Sequence, residues 1–284
     1  MDLSIIIINH NTKNLTNQTV ESIFATKPEI DFEIIVVDNS TKEAERYQCE
    51  RERVKVLSNV PNKGFAHGCN TGFQIATGEY VLFLNSDTIM QKDTLDKSVR
   101  YMKKHKEVGG LSVQVVLQDG SLDHGCKRGF PTPWNSFCYF SHLDRLFPKA
   151  ALFNGYKLGH LDRNKTYQID AGTGAYLMMP GKLYKHLNGF DETFFMYGED
   201  IDLCWRIKAA GYQVIYYADV KCLHLKGQSG KSAKNEFVQY HFYNAMLIFY
   251  DRYYTDKYPR WLTGMIKFII KRKMPQIDAK QYGG

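Results

Sequence analysis

The residues best suited to chemistry in this sequence are carboxylates that stand where an apolar run gives way to a polar one. They are Asp38, Asp87, Asp170 and the acidic group Glu199, Asp200 and Asp202. Carboxylates in such places can bind a divalent cation or take a proton from a hydroxyl group. The sequence has no G-x-G-x-x-G after its first apolar run, no G-x-x-x-x-G-K-[ST] and no G-x-S-x-G. A dinucleotide fingerprint, a P-loop and a serine nucleophile elbow are therefore excluded.

Small polar clusters end three of the apolar runs. The clusters are Asn9 with Asn11, Asp38 with Asn39, and Asn85 with Asp87. Because ligands bind outside the carboxyl ends of the strands in an open parallel sheet, we expect these clusters to meet at one edge and form a site. The alternative is that each cluster only makes a turn or caps a helix, as Asn, Asp and Ser often do.

The elements that must position these clusters alternate between strand and helix. Apolar runs predict strands at residues 3–8, 33–37, 54–57 and 80–84, with helices at 16–25 and 66–76 between them. This rhythm is typical of βαβ units, so we predict an α/β fold with a mostly parallel central sheet flanked by helices. From about residue 110 the pattern is less regular, and we expect this half to shape the pocket of a second substrate.

The composition is that of an ordinary globular protein. The chain has 284 residues, of which 44% are hydrophobic and 24% charged, and these figures exclude disorder. It contains no apolar run near the ~20 residues that a spanning helix needs. The start of the chain lacks the basic segment and cleavage site of a signal peptide, and its six cysteines form no C-x-x-C pair. We therefore expect a cytoplasmic protein with reduced thiols.

The positive charge is concentrated at the C-terminus. The whole chain carries 37 − 30 = +7, and residues 257–284 carry seven basic residues against one acidic residue, or 7 − 1 = +6. The rest of the chain is therefore close to neutral. A nucleic-acid partner is not expected, because phosphate binding needs a basic stripe across the folded surface.

The basic tail also has an amphipathic pattern. After Pro259, apolar residues fall on one broad arc of a helix, and Arg260, Lys267 and Lys271 fall on the other side. Such a helix is too short to span a bilayer but suits the surface of one, so we predict peripheral membrane contact through residues 257–274. The alternative is a helix packed on the core or on a second subunit, which leaves a homo-oligomer open.

Six segments of the sequence resemble glycosyltransferase family 2, and within it most closely the rhamnosyltransferase-like branch. The segments are residues 7–11 (IINHN), 36–40 (VVDNS), 62–72 (NKGFAHGCNTG), 84–88 (LNSDT), 172–175 (GTGA) and 189–206 (GFDETFFMYGEDIDLCWR). They follow one another in order from residue 3 to about residue 225, roughly four-fifths of the chain. The resemblance implies the GT-A (Rossmann-like) fold and an inverting transfer of a sugar from a nucleotide diphosphate-sugar to an acceptor hydroxyl.

The resemblance also assigns the residues that bind the donor. In the family, the ends of the first two strands hold the nucleoside, which corresponds to Asn9, Asn11 and Asp38. The segment after the third strand lines the nucleotide, which corresponds to Asn62, Lys63, Gly64 and Asn70. The family's D-x-D motif stands here as residues 85–87, with an amide, Asn85, in place of the first acid.

The expected cofactor is a divalent metal ion, Mn²⁺ or Mg²⁺. Asp87 occupies the family's metal-ligand position, and His224 stands where family members often supply an imidazole. Mg²⁺ usually takes one or two carboxylates together with phosphate oxygens and water, so the loss of an acid at Asn85 is tolerable. An imidazole ligand favours Mn²⁺ somewhat. The alternative for His224 is an ordinary hydrogen-bonded histidine.

The transfer needs a base, because a hydroxyl has a pKa far above 7. In the resemblance Asp200 is that base, in the pair Glu199 and Asp200. These acids also suit the positive end of a helix, with Asp202 pairing to Arg206 one turn later. Asp170 and Gly174 correspond to positions that contact the donor sugar or the acceptor, although a plain tight turn explains the glycines equally well.

From these observations we predict two parts of the chain. Residues 1–230 would form the GT-A catalytic domain, with a nucleotide-binding half at about 1–110 and an acceptor-binding half at about 111–230, and residues 231–284 a C-terminal helical extension. The expected reaction moves rhamnose from dTDP-rhamnose onto a surface polysaccharide or lipid-linked glycan at the inner face of the cell membrane. A transferase that uses a UDP-hexose (glucose, galactose or N-acetylglucosamine), or a non-catalytic sugar-nucleotide-binding assembly subunit, is the alternative.

Overall fold

The computed structural model describes residues 1–225 and 235–277. The boundary predicted at residues 230 and 231 lies outside these ranges. The first half of the chain contains β1 (Leu3–Asn9), α1 (Lys13–Ala25), β2 (Phe32–Asp38), β3 (Val54–Leu57), α2 (Phe65–Phe73), β4 (Tyr80–Leu84), β5 (Thr88–Met90) and α3 (Thr94–Lys104). Four predicted strands and two predicted helices are confirmed here, within a few residues at their ends.

The second half is less regular, as the sequence indicates. It contains β6 (Val108–Leu117), α4 (Pro133–Phe140), α5 (Leu143–Leu146), β7 (Tyr167–Ile169), β8 (Tyr176–Pro180), α6 (Gly181–His186), α7 (Glu199–Ala209) and β9 (Gln213–His224). The C-terminal part contains α8 (Glu236–Tyr253) and α9 (Arg260–Lys273). Among the described helices, none is long and apolar enough to cross a membrane.

The strands form one mixed sheet in the order β3-β2-β1-β4-β8-β6-β9-β5, with β7 paired to β9. β3, β2, β1 and β4 are parallel, and β6 and β9 run in the same direction as these four. β8, β5 and β7 run the opposite way. Six of the nine described strands therefore share one direction, and the predicted α/β fold with a mostly parallel sheet is confirmed.

The first two strands and β4 are covered by helices on both faces of the sheet. β2 and β4 are buried along their whole length, and β1 is buried except at Ile8. Isoleucine, valine and leucine fill these strands without a polar alternation, which is the pattern of parallel strands enclosed on both sides. The parallel pairing brings the carboxyl ends of β1, β2 and β4 to the same edge of the sheet.

Helix α2 begins where the backbone passes very close to another segment. Gly64 precedes this helix with a φ of 101°, and a Cβ atom there would lie 2.2 Å from the carbonyl oxygen of Phe195. The amide of Phe65 donates a hydrogen bond to that same oxygen. Only glycine satisfies both constraints, so this position fixes the entry of α2 against the loop that precedes α7.

Candidate active site

The nucleoside end of the predicted site is an ordered network between β1 and β2. Asn9 and Asp38 are cross-strand partners, and Asn9 Nδ2 donates to Asp38 Oδ1 over 2.6 Å. Asn9 Oδ1 accepts a hydrogen bond from Thr16 Oγ1, and both Asn9 and Asp38 are buried. The structure thus places Asn9 as the residue that orients Asp38 at the end of its strand.

Asn11 connects the two loops that follow these strands. Its backbone is in the left-handed region, with a φ of 55°, which asparagine tolerates well. Its Oδ1 accepts from the amides of Thr41 and Lys42, and its Nδ2 donates to Thr41 Oγ1. Asn11 therefore holds the rim of the predicted nucleoside pocket in shape.

The residues predicted to line the nucleotide next lie beside this rim. Asn62 Oδ1 accepts from Asn39 Nδ2 over 3.5 Å and from the amide of Gly64 over 3.3 Å, so it joins the β2 end to the start of α2. Lys63 between them is exposed and carries a positive charge at this edge. A diphosphate at the strand ends would meet that charge.

Asn70 makes contacts within the chain that the sequence did not indicate. Its Nδ2 donates to the carbonyl of Phe190 and to Glu192 Oε1, and its Oδ1 accepts from the hydroxyl of Tyr184 over 2.5 Å. These contacts tie α2 to the segment before α7. The structure therefore makes Asn70 a brace for that segment, and its contact with the nucleotide stays a prediction.

A histidine and two carboxylates meet where β4, β9 and the loop after β6 converge. In this acidic histidine centre (Asp87, Asp123 and His224), His224 Nε2 lies 3.0 Å from Asp87 Oδ1, and Nδ1 lies 2.9 Å from Asp123 Oδ2. Burial opposes the imidazolium, but hydrogen bonds to the two carboxylates raise the pKa of His224 to about 9. Asn85 Nδ2 lies 3.4 Å from the same Nε2 atom.

The donor atoms of this centre fit a divalent ion. Two neighbouring ligands of an octahedral ion, each bound at about 2.1 Å, are about 3.0 Å apart, which is the separation of Asp87 Oδ1 and His224 Nε2. A metal ion would replace the proton that these atoms share. Residues 1–225 and 235–277 contain no group of three His, Cys, Asp or Glu side chains arranged as a metal site. Phosphate oxygens and water would have to complete the coordination.

A second cluster forms at the start of α7. In this base centre (Arg128, Glu199 and Asp200), Arg128 Nη2 donates to Asp200 Oδ2 over 2.6 Å and also to the carbonyl of Gly172. Gly174 N donates to the same carboxylate oxygen over 3.2 Å. The centre lies in a largely buried place, since the side chains of Arg128 and Asp200 are 14% and 11% exposed. Asp200 is thus held in one orientation by a permanent cation.

Glu199 has the opposite environment to its neighbour. It is buried, and its Oε2 atom has no hydrogen-bond partner among the residues that the structure describes. Burial and the adjacent charge of Asp200 raise the pKa of Glu199 to about 8. At neutral pH Glu199 is therefore largely protonated, and its carboxyl adds no negative charge beside Asp200.

The two centres are joined through the strand pair β4 and β8. Asn85 N donates to the carbonyl of Ala175 over 3.4 Å, and the next residue back, Gly174, donates to Asp200. On the other side, the hydroxyls of Thr12 and Ser86 are 3.2 Å apart, which links the β1 loop to the D-x-D position. The structure therefore brings the three strand ends and Asp200 together at one edge.

Asp170 belongs to the outer part of this region. Its Oδ2 accepts from the amide of Phe130, and its other oxygen pairs with Lys208 of α7. It is half-buried on the segment that also pairs with Arg128 through the bridge to Ala171. These contacts order the loop that carries Arg128, and a contact of Asp170 or Gly174 with a sugar stays a prediction.

Asp202 has the structural role that the sequence predicts. Arg206 Nε donates to Asp202 Oδ2 over 2.8 Å, one helical turn away, so this predicted pair is confirmed. The other oxygen of Asp202 accepts from Arg252 and from the hydroxyl of Tyr253, both on α8. Asp202 thus anchors the C-terminal part of the chain to α7.

Sequence reasoning missed Asp123 and Arg128. Both lie in the turn-rich stretch after β6, where the sequence has no strand or helix periodicity to indicate which way a side chain points. A weak signal existed for Asp123, which follows an apolar strand as the predicted carboxylates do, but nothing in the sequence distinguishes Arg128 from the other basic residues of the body.

Comparisons with known proteins identify the family of this chain. The family model for glycosyl transferase family 2 matches residues 4–165, and a model described as the N-terminal domain of galactosyltransferase matches residues 160–226. The rhamnosyltransferase WbbL of Escherichia coli (strain K12) is 24% identical over 249 residues, covering 84% of this chain and 88% of the relative.

Two further proteins extend the similarity. The N-acetylglucosaminyl-diphospho-decaprenol L-rhamnosyltransferase of Mycobacterium tuberculosis is 22% identical over 194 residues, covering 68% of this chain and 60% of the relative. The solved mannosyltransferase PcManGT from Pyrobaculum calidifontis, in complex with GDP-Man and Mn²⁺, superposes with a TM-score of 0.55 at 18% identity, covering 86% of this chain and 61% of the other. The family match spans more than half of the residues, and the chain belongs to glycosyl transferase family 2, with its GT-A fold.

Proposed function

We propose that this protein is an inverting, metal-dependent glycosyltransferase that moves rhamnose from dTDP-rhamnose onto a hydroxyl of a surface-polysaccharide or lipid-linked glycan. The observation that carries the proposal is the position of the two centres at one edge of the sheet, joined through Asn85, Ala175 and Gly174. One centre suits a cation beside a diphosphate, and the other holds a carboxylate in a fixed orientation. The rhamnosyl choice rests on the names of the two relatives.

The donor would lie across the strand ends. Asp38 and the loop held by Asn11 would contact the nucleoside, and Lys63 and the amide of Asn85 would face the diphosphate and sugar side. Asp87 and His224 would hold the metal ion. When bound, the ion neutralises charge on the departing diphosphate.

Asp200 would act as the base. As the acceptor oxygen forms its bond to the anomeric carbon, the bond from that carbon to the diphosphate oxygen breaks and its electron pair leaves with the diphosphate. The hydroxyl proton passes to Asp200 Oδ1, which retains a lone pair after accepting from the amide of Ile201. Arg128 and Gly174 N hold the other oxygen, so the carboxylate keeps its direction. One displacement inverts the configuration at the anomeric carbon.

The test is a transfer assay with labelled dTDP-rhamnose, UDP-glucose, UDP-galactose and UDP-N-acetylglucosamine, with and without metal. We expect transfer that EDTA abolishes and Mn²⁺ restores, with dTDP-rhamnose as the preferred donor and an inverted anomeric centre in the product. Preference for a UDP-hexose would contradict the proposed donor but would still support an inverting sugar transfer. Binding of sugar nucleotides without turnover of any of them would contradict the enzyme and favour an assembly subunit.

A further inference from the structure

Among the described residues, two groups of exposed apolar side chains lie outside the site and its supports. On the α4–α5 segment (residues 133–153) the exposed side chains are Trp134, Phe137, Phe140, Leu146, Phe147 and Leu152, and on α9 they are Trp261, Met265, Phe268 and Ile269. Single exposed apolar residues are normal on a protein, but large contiguous groups mark interaction sites. Trp261 is 71% exposed and Leu146 is 68% exposed, so these side chains lie well outside the core.

Packing within the chain accounts for only one side of α9. Thr263 and Ile270 are buried, and the hydroxyl of Thr263 lies 3.1 Å from that of Tyr250 on α8. Lys267 pairs with Asp251, also on α8. The apolar arc is wider than this contact, and its remaining half, which holds Trp261 and Phe268, has no covering element among the described residues.

The α4–α5 segment is a rigid platform rather than a loose loop. Trp134 Nε1 donates to the carbonyl of Leu152 over 2.8 Å. The ring of Phe153 lies 6.2 Å from that of Trp134 and 4.9 Å from that of Phe147, between centroids. These contacts fix the aromatic rings before any partner binds, which lowers the entropy lost on binding.

The two surfaces meet. Lys273, the last residue of α9, places its ammonium group 5.6 Å from the centre of the Phe140 ring at the end of α4. This distance is within the range of a cation–π contact. The α4–α5 platform and α9 therefore adjoin at this point, and we name their exposed apolar side chains together the apolar face.

Apart from the buried Asp144, the charged side chains on the α4–α5 segment and on α9 are all basic. Residues 257–277 contain no acidic residue, and residues 130–161 contain only Asp144, which is buried and paired with Lys157. Five basic residues border the apolar side chains and are exposed: Arg145, Lys149, Lys271, Arg272 and Lys273. Aromatic and aliphatic side chains surrounded by Lys and Arg match the interface of a bilayer that contains anionic lipid.

We propose that the apolar face docks the protein on an anionic phospholipid bilayer through two elements, α9 and the α4–α5 platform. The platform begins five residues after Arg128, whose side chain holds Asp200. Docking would therefore bring the acceptor side of the active site close to the membrane, where a lipid-linked saccharide presents its hydroxyl. This consequence for the acceptor rests on the proposed function, whereas the docking itself does not.

The test is co-flotation of the full chain with vesicles of phosphatidylcholine and phosphatidylglycerol, compared with phosphatidylcholine alone. Two double variants each remove one element: Trp261→Ser with Phe268→Ser on α9, and Phe137→Ser with Leu146→Ser on the platform. We expect each to weaken binding to the anionic vesicles about tenfold or more, because each removes two large apolar side chains from the interface. Tyr212→Ser, an exposed aromatic outside the face, is the matched control and should bind as wild type.

The outcomes separate the two proposals. Unchanged flotation of the platform variant, or equal binding of the wild type to neutral and anionic vesicles, would overturn the two-element surface. A wild-type dimer that both variants convert to monomer, without vesicle binding, would assign the face to a second copy of the chain and also overturn it. Both variants should retain transfer to a short soluble acceptor. Flotation as expected without transfer from any donor would leave docking intact and contradict the proposed function.

Discussion

The acidic histidine centre and the base centre each contain one basic side chain and two acidic ones, but the basic side chains differ. Each places one cation against buried carboxylates: His224 between Asp87 and Asp123, and Arg128 on Asp200 beside Glu199. An imidazolium can give up its proton when a metal ion binds, whereas a guanidinium is not deprotonated in a protein. The first centre can therefore exchange a proton for a metal ion. In the second centre the cation is permanent, so the hydrogen bond with which Arg128 orients Asp200 does not depend on a proton that can be lost.

The largest expected effect comes from removing the permanent cation. Arg128→Met leaves Asp200 buried without its ion pair, and we expect the free energy of unfolding to fall by about 3–5 kcal/mol. Urea unfolding followed by circular dichroism measures this loss. The double variant with Asp200→Asn should be less destabilised than the single variant, because the uncompensated charge is gone. If Arg128→Met is as stable as wild type, the ion pair of Arg128 and Asp200 does not contribute to the stability of the fold.

The affinity for the metal ion should depend on Asp123 in the acidic histidine centre. Asp123→Asn removes the carboxylate that accepts from His224 Nδ1 and so orients the imidazole. The loss of such a hydrogen bond weakens metal binding about 10- to 100-fold. The Mn²⁺ concentration that gives half-maximal thermal stabilisation in the presence of sugar nucleotide measures the change. Transfer at saturating Mn²⁺ should be largely retained. Asp256→Asn, an exposed carboxylate outside both centres, is the control. Equal Mn²⁺ requirements for the two variants would contradict the role of Asp123.

The smallest expected effect is a pH-dependent change in melting temperature caused by Glu199→Gln. The pKa of Glu199 is raised from 4.5 to about 8 by burial and by Asp200, so between these values the folded protein binds a proton that the unfolded chain has released. Stability from this group is complete below pH 4.5 and is lost as the pH rises to about 8. Glu199→Gln should therefore melt a few degrees above wild type at pH 8 and lose that advantage near pH 4.5.

Melting curves at several pH values measure this difference. Asp202→Asn is an unsuitable control because it breaks the contacts with α8, so Glu236→Gln, an exposed acid on α8, serves instead. A gain for Glu199→Gln that is constant with pH would mean that Glu199 stays ionised.

The parts of the site that lie on parallel strands were predictable from the sequence. The ends of β1, β2 and β4 must meet once the strands pair in parallel, so apolar runs followed by Asn9, Asp38 and Asp87 sufficed. The second half of the chain could not be treated in this way. β8 is antiparallel to its neighbours, so its carboxyl end lies at the opposite edge of the sheet, and the loop after β6 has no regular spacing of apolar residues. Asp123 and Arg128 reach their partners through that loop, and only tertiary packing determines their direction.

Some predicted site residues also make contacts within the chain that the sequence did not indicate. The side-chain amides of Asn9 and Asn70 form hydrogen bonds with neighbouring segments of the chain. A sequence motif cannot distinguish such hydrogen bonds from contacts with a ligand. For α9 the sequence predicted the helix but not its packing. The amphipathic pattern predicted the helix, but it could not show which half of the apolar arc packs on α8.

The most direct measurement of the central claim is calorimetric titration of sugar nucleotide with Mn²⁺ into the Asp87→Asn and Asp200→Asn variants, paired with transfer rates. We predict that Asp200→Asn binds the donor with the wild-type Mn²⁺ dependence and loses ~10²-fold or more in transfer rate, and that Asp87→Asn loses the Mn²⁺-dependent part of binding. Near-normal transfer by Asp200→Asn, or Mn²⁺-dependent donor binding that survives in Asp87→Asn, would contradict the account.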